Sequence, residues 1–374
     1  MRNLYESKEQ KYNLLNVSNT LGNAPLSEIK PILLKSFEIR SNKLCPPDLI
    51  KQYHTQYPFL GPSSLNQRDL VKFDNLFYSV VPEYFDAVEF SPISPLGTNS
   101  VITKVSQNNV LSTIRGSEVV ADSTTPLAIE IASRRKLKKN YGIEEHLASS
   151  LRIIRLQPFD QSKGYRQHFR LLGLCSSGKE IPGTRFYRTG HSKHINIWLS
   201  FLEKLSEEGM EFNNVSVDLS DINVLEKIIK SENIPREDVQ RNSLNEEYDL
   251  FEAYSISFPK KVKSISEIDN DQIEKYGLEN YLDTLSDLED ELYDNFSNKF
   301  KNVSFEFDFS RKAGLGYYCG SCFHIFAENQ SNDKIQLADG GEVDWVAKLT
   351  NNYKERTIIS GLGSELILNM FNFK

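Results

Sequence analysis

Two cysteines, Cys319 and Cys322, stand two residues apart in the run KAGLGYYCGSCFHIF. That spacing serves a dithiol redox centre, half of a zinc site, or no chemistry at all. Redox pairs sit at a helix N-terminus, where the dipole lowers a thiol pKa, whereas this run is aromatic and β-prone with no helix start. In a strand, positions i and i+3 point to opposite faces, which works against a bond or a shared metal. Zinc would draw its other ligands from elsewhere, such as His191 and His194 in TGHSKH or the distant Cys175. Geometry favours structural or pocket-lining cysteines and leaves metal and redox open.

A second grouping is basic: Arg152, Arg155, Lys163, Arg166 and Arg170 fall within twenty residues. Arginine's fork suits a phosphate or carboxylate, although a solvated hairpin explains the same cluster. Asp122 stands just before a helix, where an acid serves as a cap or as a ligand. Neither GxxxxGK[ST] nor GxGxxG occurs, so neither a P-loop nor a Rossmann nucleotide site is supported.

The elements around these groups follow from periodicity and punctuation. Residues 1 to about 65 are a polar lead-in, with a helix at LSEIKPILLKSF and a loop at GPSSLNQ. DLVKFDNLFYSVV has helical spacing that ends at Pro82. DAVEFSPISPLG reads as a proline-broken strand, Val101 to Glu118 as strands and turns, and TTPLAIEIASRRK as a helix. LRIIRLQPF and HFRLLGLCS read as strands flanking the polar hairpin DQSKGYRQ, and HINIWLSFLEKL as an amphipathic helix. Between Glu267 and Asp294 eleven acids face one lysine. Leu278, Leu282, Leu285, Leu288, Leu292 and Phe296 recur there at spacings of three and four, which predicts a helix with a solvated acidic face. VSFEFDF alternates as a strand, YYCGSCFHIF is a second strand, ADGG a turn, VDWVAKL a helix, TIISG a strand and SELILNMF a closing helix. Strands with helices between and after them predict a mixed, mainly antiparallel sheet in an α+β protein.

The chain has 374 residues, a net charge of −7 and 25% charged residues. The length allows two or three domains or one large one. The acidic balance argues against a broad nucleic-acid face. The start, MRNLYESKEQ, is polar, and no apolar run approaches the roughly 20 residues of a spanning helix. Four cysteines are too few for a disulfide scaffold. A cytoplasmic protein with no membrane partner is the expectation.

Read in order, five segments from about Asp69 onward resemble the catalytic core of class II aminoacyl-tRNA synthetases, and are most similar to histidyl-tRNA synthetase and its paralogue, the regulatory subunit of ATP phosphoribosyltransferase. The Asp69 helix with FDAVEFSP resembles motif 1, which implies a homodimer. VVADSTTPLAIEIASR resembles L-R-P-[DE]-x-T, which puts Asp122 on the acid that holds the substrate's α-amino group and Thr124 on the threonine. IRLQPFDQSKGYRQHF resembles motif 2, which puts Arg155 on the arginine that holds the α-phosphate and the substrate carboxylate, Gln157 in place of the adenine-reading acid, Arg166 in the ATP loop and Arg170 in place of a pocket glutamine. KAGLGYYCGSCFHIF resembles R-G-L-D-Y-Y-x-G-x-x-F, with Tyr317 and Tyr318 lining the amino-acid pocket. GLGSELIL resembles motif 3, G-x-G-x-E-R, keeping Glu365.

The departures bear on activity. Val120, Ala313 and Leu366 stand where the family has arginines, Gly316 replaces an aspartate, and the acid that reads the histidine ring falls on Leu174 or Cys175. Lys312 beside Ala313, and Arg170, are the cations left to compensate. Removing one donor from a charged transition state costs about 3 to 4 kcal/mol, so losing Ala313's and Leu366's arginines works against histidyl adenylation. The resemblance therefore implies a paralogue that binds an amino acid or related small metabolite as a regulatory or accessory subunit, with a partner enzyme subunit or carrier. The alternative is an ATP- and Mg2+-dependent ligase of altered specificity, and a third reading is a dimeric scaffold without a ligand. Residues 66–374 form the matching core, with a divergent helical insertion at about 206–295. No segment matches the anticodon-binding domain, so anticodon recognition is not expected.

Overall fold

The structure is a computed structural model that describes residues 2–373 apart from 13, 15, 140–142, 158–166, 180–185, 244, 246–247, 297–298 and 372. Its centre is a nine-stranded sheet in the order β1-β4-β5-β11-β10-β9-β6-β8-β7. The strands are β1 (Asp86–Ala87), β4 (Glu145–Ile154), β5 (His168–Lys179), β6 (Asn213–Asp221), β7 (Lys261–Val262), β8 (Ser304–Asp308), β9 (Ser321–Glu328), β10 (Lys334–Val343) and β11 (Glu355–Gly363). A separate ribbon pairs β2 (Ile93–Pro95) with β3 (Ser117–Val119). β1 runs parallel to β4 and β6 parallel to β8, and the other sheet pairs are antiparallel.

Period-two alternation gives each inner strand two apolar faces, so both sides of the sheet need a helical cover. One face carries Gln67–Val80 and Phe186–Glu207, where Phe77 stacks on Trp198 at 5.5 Å and Phe73 meets Phe201 edge-on at 5.0 Å. The acidic helix Glu279–Phe296 joins that layer, burying Leu282, Leu285, Leu288, Leu292 and Phe296. The other face carries Thr124–Lys138 and Trp345–Thr350, and Leu127, Ile131 and Trp345 pack there against Cys175, Cys322 and Ile359. This second layer is the smaller one, and it leaves space over the sheet for a cavity.

Three expectations are corrected. ADGG is not a turn but the middle of β10, in register with β9 and β11. Glycine is needed there because a Cβ on Gly341 would lie 2.5 Å from Cys322 Cβ, and one on Gly340 2.6 Å from Ser360 Cβ. The stretch 206–295 is not helical throughout: it begins with β6, a sheet strand between β9 and β8. Val101 to Glu118 contributes only β3, preceded by a π-helix at Thr98–Thr103 and a 3-10 turn at Gln107–Asn109. The helix expected at LSEIKPILLKSF is present as Leu26–Ser41, and the lead-in adds a helix at Pro46–Thr55; neither buries a side chain.

Candidate ligand-binding site

A cavity of about 570 Å3 opens over β5, β10 and β11 at the start of the Thr124–Lys138 helix. Asp122 lies at its edge, two residues before that helix. Its Oδ1 accepts the Thr124 amide at 2.9 Å and the Thr124 hydroxyl at 2.7 Å, so the acid ties down the helix start. Its Oδ2 accepts the Tyr317 hydroxyl at 2.9 Å and keeps further acceptor capacity. The helix-start bonds and the tyrosine bond use different oxygens of one carboxylate.

Arg155 follows the end of β4. Its Nε donates to the Ala121 carbonyl at 2.8 Å, its guanidinium stands 5.4 Å from the Phe169 ring centroid, and its Nη2 lies 3.8 Å from Asp122 Oδ2. The arginine is held by backbone and ring, and among the described residues no hydrogen bond takes its Nη atoms. Asp122, Thr124, Arg155, Gln157, Tyr317 and Tyr318 all line the cavity. Arg166 lies outside the described residues.

The tyrosines diverge. Their rings meet edge-on at 4.9 Å, and the Tyr318 hydroxyl donates to Asp339 Oδ1 at 2.8 Å. Burial first, then the adjacent carboxylates, Asp122 for Tyr317 and Asp339 for Tyr318, hold both phenols well above their ordinary pKa. Both stay protonated donors at neutral pH.

Two predicted site residues have other duties. Arg170 lies on the opposite face of β5 from Phe169 and Leu171, and bonds Asp74 at 2.5 Å and Ser150 at 3.1 Å. The strand alternates with period two, so a residue between Phe169 and Leu171 faces away from the pocket that they line. Glu365 does line the cavity, but its Oε1 takes Arg152 at 2.7 Å and its Oε2 takes Ser63 at 2.7 Å. It serves as a tie between the lead-in, β4 and the last helix.

Ala313 and Leu366 line the cavity where the resemblance put lost arginines. Lys312 does not replace either: its Nζ donates to the Asn245 and Tyr248 carbonyls in the insertion. Val120 is buried against Leu151 and Ile153. Among the described residues, Arg155 is the one arginine or lysine that lines the cavity.

Sequence reasoning missed Arg311 and Asp339. Arg311 is buried, donates through Nη2 to Asp339 Oδ1 at 2.7 Å, and stands 5.3 Å from the Tyr318 ring centroid. Burial opposes the Asp339 charge, but Arg311 and then His324 outweigh it and hold the carboxyl well below the usual range. The available signal was an arginine two residues before the expected position, RKAG in place of a single arginine. Only the fold shows that it reaches Asp339.

The cysteine question closes on geometry. Cys319 lies in the turn before β9, and Cys322 is buried within it beside Tyr318, its thiol pushed up to about 12 by burial. Both are free thiols. His191 and His194 belong to Phe186–Glu207 on the other side of the sheet, where His194 is bonded to Ser176 and Ser360 at 2.8 Å. No cluster of three or more potential metal ligands occurs among the described residues.

No protein-family model matches the chain, and no curated protein matches it. Solved structures do. The fold is that of the class II aminoacyl-tRNA synthetase catalytic core, the histidyl-tRNA synthetase-like form of it. An ATP phosphoribosyltransferase regulatory subunit/histidyl-tRNA synthetase from Bacillus halodurans shares 16% identity with a TM-score of 0.61, covering 84% of this chain and 83% of that one. A histidine–tRNA ligase subunit from Alicyclobacillus acidocaldarius shares 12% with a TM-score of 0.60, covering 82% and 95%. Histidyl-tRNA synthetase from Nostoc sp. PCC 7120 shares 14% with a TM-score of 0.58, covering 83% and 73%. Identities this low establish the fold. No described helix is long and apolar enough to cross a membrane.

Proposed function

We propose that the chain binds an amino acid or a closely related small metabolite and acts as a regulatory or accessory subunit, as a homodimer alongside a partner enzyme. The observation that carries this reading is the pairing of Asp122 and Arg155 at one edge of the cavity, 3.8 Å apart, with Tyr317 and Thr124 fixing the acid. A zwitterion needs an acceptor for its ammonium and a donor for its carboxylate, side by side. Asp122 Oδ2 offers the first and the open edge of Arg155 the second, each in a site where a charge-assisted hydrogen bond is strong. The likeness to a regulatory subunit of ATP phosphoribosyltransferase supports the accessory role.

The described residues do not by themselves suit a magnesium–triphosphate. Its phosphates call for several preorganised cations, and the cavity offers Arg155 among the described residues. Glu365, the acid expected on the ATP side, already holds Arg152 and Ser63. We derive no adenylation step. The test is amino-acid-dependent exchange of pyrophosphate into ATP, run beside a thermal-shift screen of amino acids with and without ATP and magnesium. The reading expects stabilisation by an amino acid and no exchange. Exchange above background would overturn it in favour of the adenylating ligase.

A further inference from the structure

The far side of the cavity repeats the arrangement at Asp122 with a different chemical purpose. Asp339 projects from β10 beside Tyr318, as Asp122 stands beside Tyr317. Its Oδ1 receives Arg311 Nη2 at 2.7 Å and the Tyr318 hydroxyl at 2.8 Å, and faces His324 Nε2 at 3.6 Å. Among the described residues no hydrogen bond reaches Oδ2. Asp339 lines the cavity with 38% of its side chain exposed, while Arg311 behind it is 3% exposed. Donors converging on one oxygen lock the rotamer and leave the other oxygen as the accessible acceptor.

This end of the cavity therefore presents an acceptor. The Tyr318 hydroxyl proton is spent on Oδ1 and cannot serve an incoming carboxylate, and Arg311, which turns Nη2 to the same oxygen, is not among the cavity-lining residues. A ligand group that ends on Oδ2 must donate, and an ionised donor makes the stronger bond to a carboxylate. An acidic side chain would meet Asp339 with like charge.

We propose that Asp339 reads a basic nitrogen at the end of the ligand's side chain, so that the ligand is an amino acid with a second amine or a guanidine. The inference rests on the amino-acid reading above, with the α-ammonium on Asp122 and the second nitrogen on Asp339 Oδ2. The two tyrosines then act as a divider, each orienting one carboxylate for one end of the same molecule.

Isothermal titration of the full chain with lysine, ornithine, arginine, norleucine, glutamine and glutamate tests it. At least one basic amino acid should bind about ten- to a hundredfold more tightly than norleucine, the range of one hydrogen bond to a charged group. Glutamate should bind more weakly than norleucine. Asp339→Asn should bring the basic amino acid down to norleucine's affinity. That variant leaves buried Arg311 less well compensated and can lose stability, so the wild-type ligand series decides alone if it does not fold. Norleucine or glutamine binding as tightly as the basic series would overturn the role of Asp339 while leaving the amino-acid reading standing. Binding of none of the six would overturn the basic-nitrogen inference, and the amino-acid reading would then be decided by the full screen of twenty.

Discussion

Tyr317 and Tyr318 are neighbours in the chain, yet their hydroxyls end on different carboxylates, at 2.9 Å on Asp122 and 2.8 Å on Asp339. The first pair was legible in the sequence because residue type and order survive in VVADSTTP and LGYY. The second was not, since it needs β10 laid beside β9 and an arginine two places off the expected position. Arg170 shows the reverse error: its type suited a pocket, but the face it takes is set by strand register, which residue type does not reveal. A separate residue-scale prediction concerns Glu342. It is buried, receives the Ser321 amide at 3.3 Å, and desolvation pushes it up to about 8, with Asp221 pushed up to about 6 in the same way. The folded state therefore keeps a proton that the unfolded chain releases near the ordinary carboxylate value of 4.5. The stability that Glu342 contributes should fall as pH rises from about 5 to 8, by an amount on the order of a few kcal/mol. The buried His146, His191 and His194, lowered by desolvation, act in the opposite sense below about pH 6.5, so the measurement is the difference between wild type and Glu342→Gln. The wild-type urea midpoint should lose ground against the variant's across that range, and a difference that does not change with pH would contradict the assignment.

At the scale of elements, β10 positions both Asp339 and the floor under Tyr318, and it does so through two glycines. ADGG looked like a turn because local signals cannot distinguish a glycine needed for bending from one needed for close strand packing. Gly341→Ala would place a Cβ 2.5 Å from Cys322 Cβ and 2.8 Å from Tyr318 Cδ1. It should cost about 1 to 3 kcal/mol in chemical denaturation; an unchanged midpoint would mean the strands separate without penalty. The acidic helix was legible from Glu279 onward by its leucine spacing, but the break at Gly277, after a separate helix at Asn270–Tyr276, was not, and Leu278 falls in that break. Leu285 is wholly buried, so Leu285→Ala should cost about 2 to 5 kcal/mol, read by the same midpoint. A loss below 1 kcal/mol would place that helix outside the core layer.

For the whole molecule, the order of strands and helices carried the fold, whereas in the first 60 residues the helix at Leu26–Ser41 was legible and little else beyond polarity. The helices Leu26–Ser41 and Pro46–Thr55 bury no side chain. Firm bonds to the core begin at Gly61, whose carbonyl accepts from His168 at 2.8 Å, and at Ser63. A chain lacking residues 1–55 should keep its urea midpoint within about 0.5 kcal/mol, as for changes away from buried features, and a loss above about 2 kcal/mol would show that the arm supports the core. The fold resembles tRNA-charging enzymes, while the cavity pairs an acid and an arginine suited to a free amino acid. Thermal denaturation of the wild type, Asp122→Ala and Arg155→Ala against each of the twenty amino acids measures this most directly. At least one amino acid should raise the wild-type midpoint, by about 2.7 kcal/mol of stabilisation at a hundredfold excess over its dissociation constant, and should leave both variants unmoved. Equal responses from wild type and both variants, or no response to any amino acid, would contradict the account.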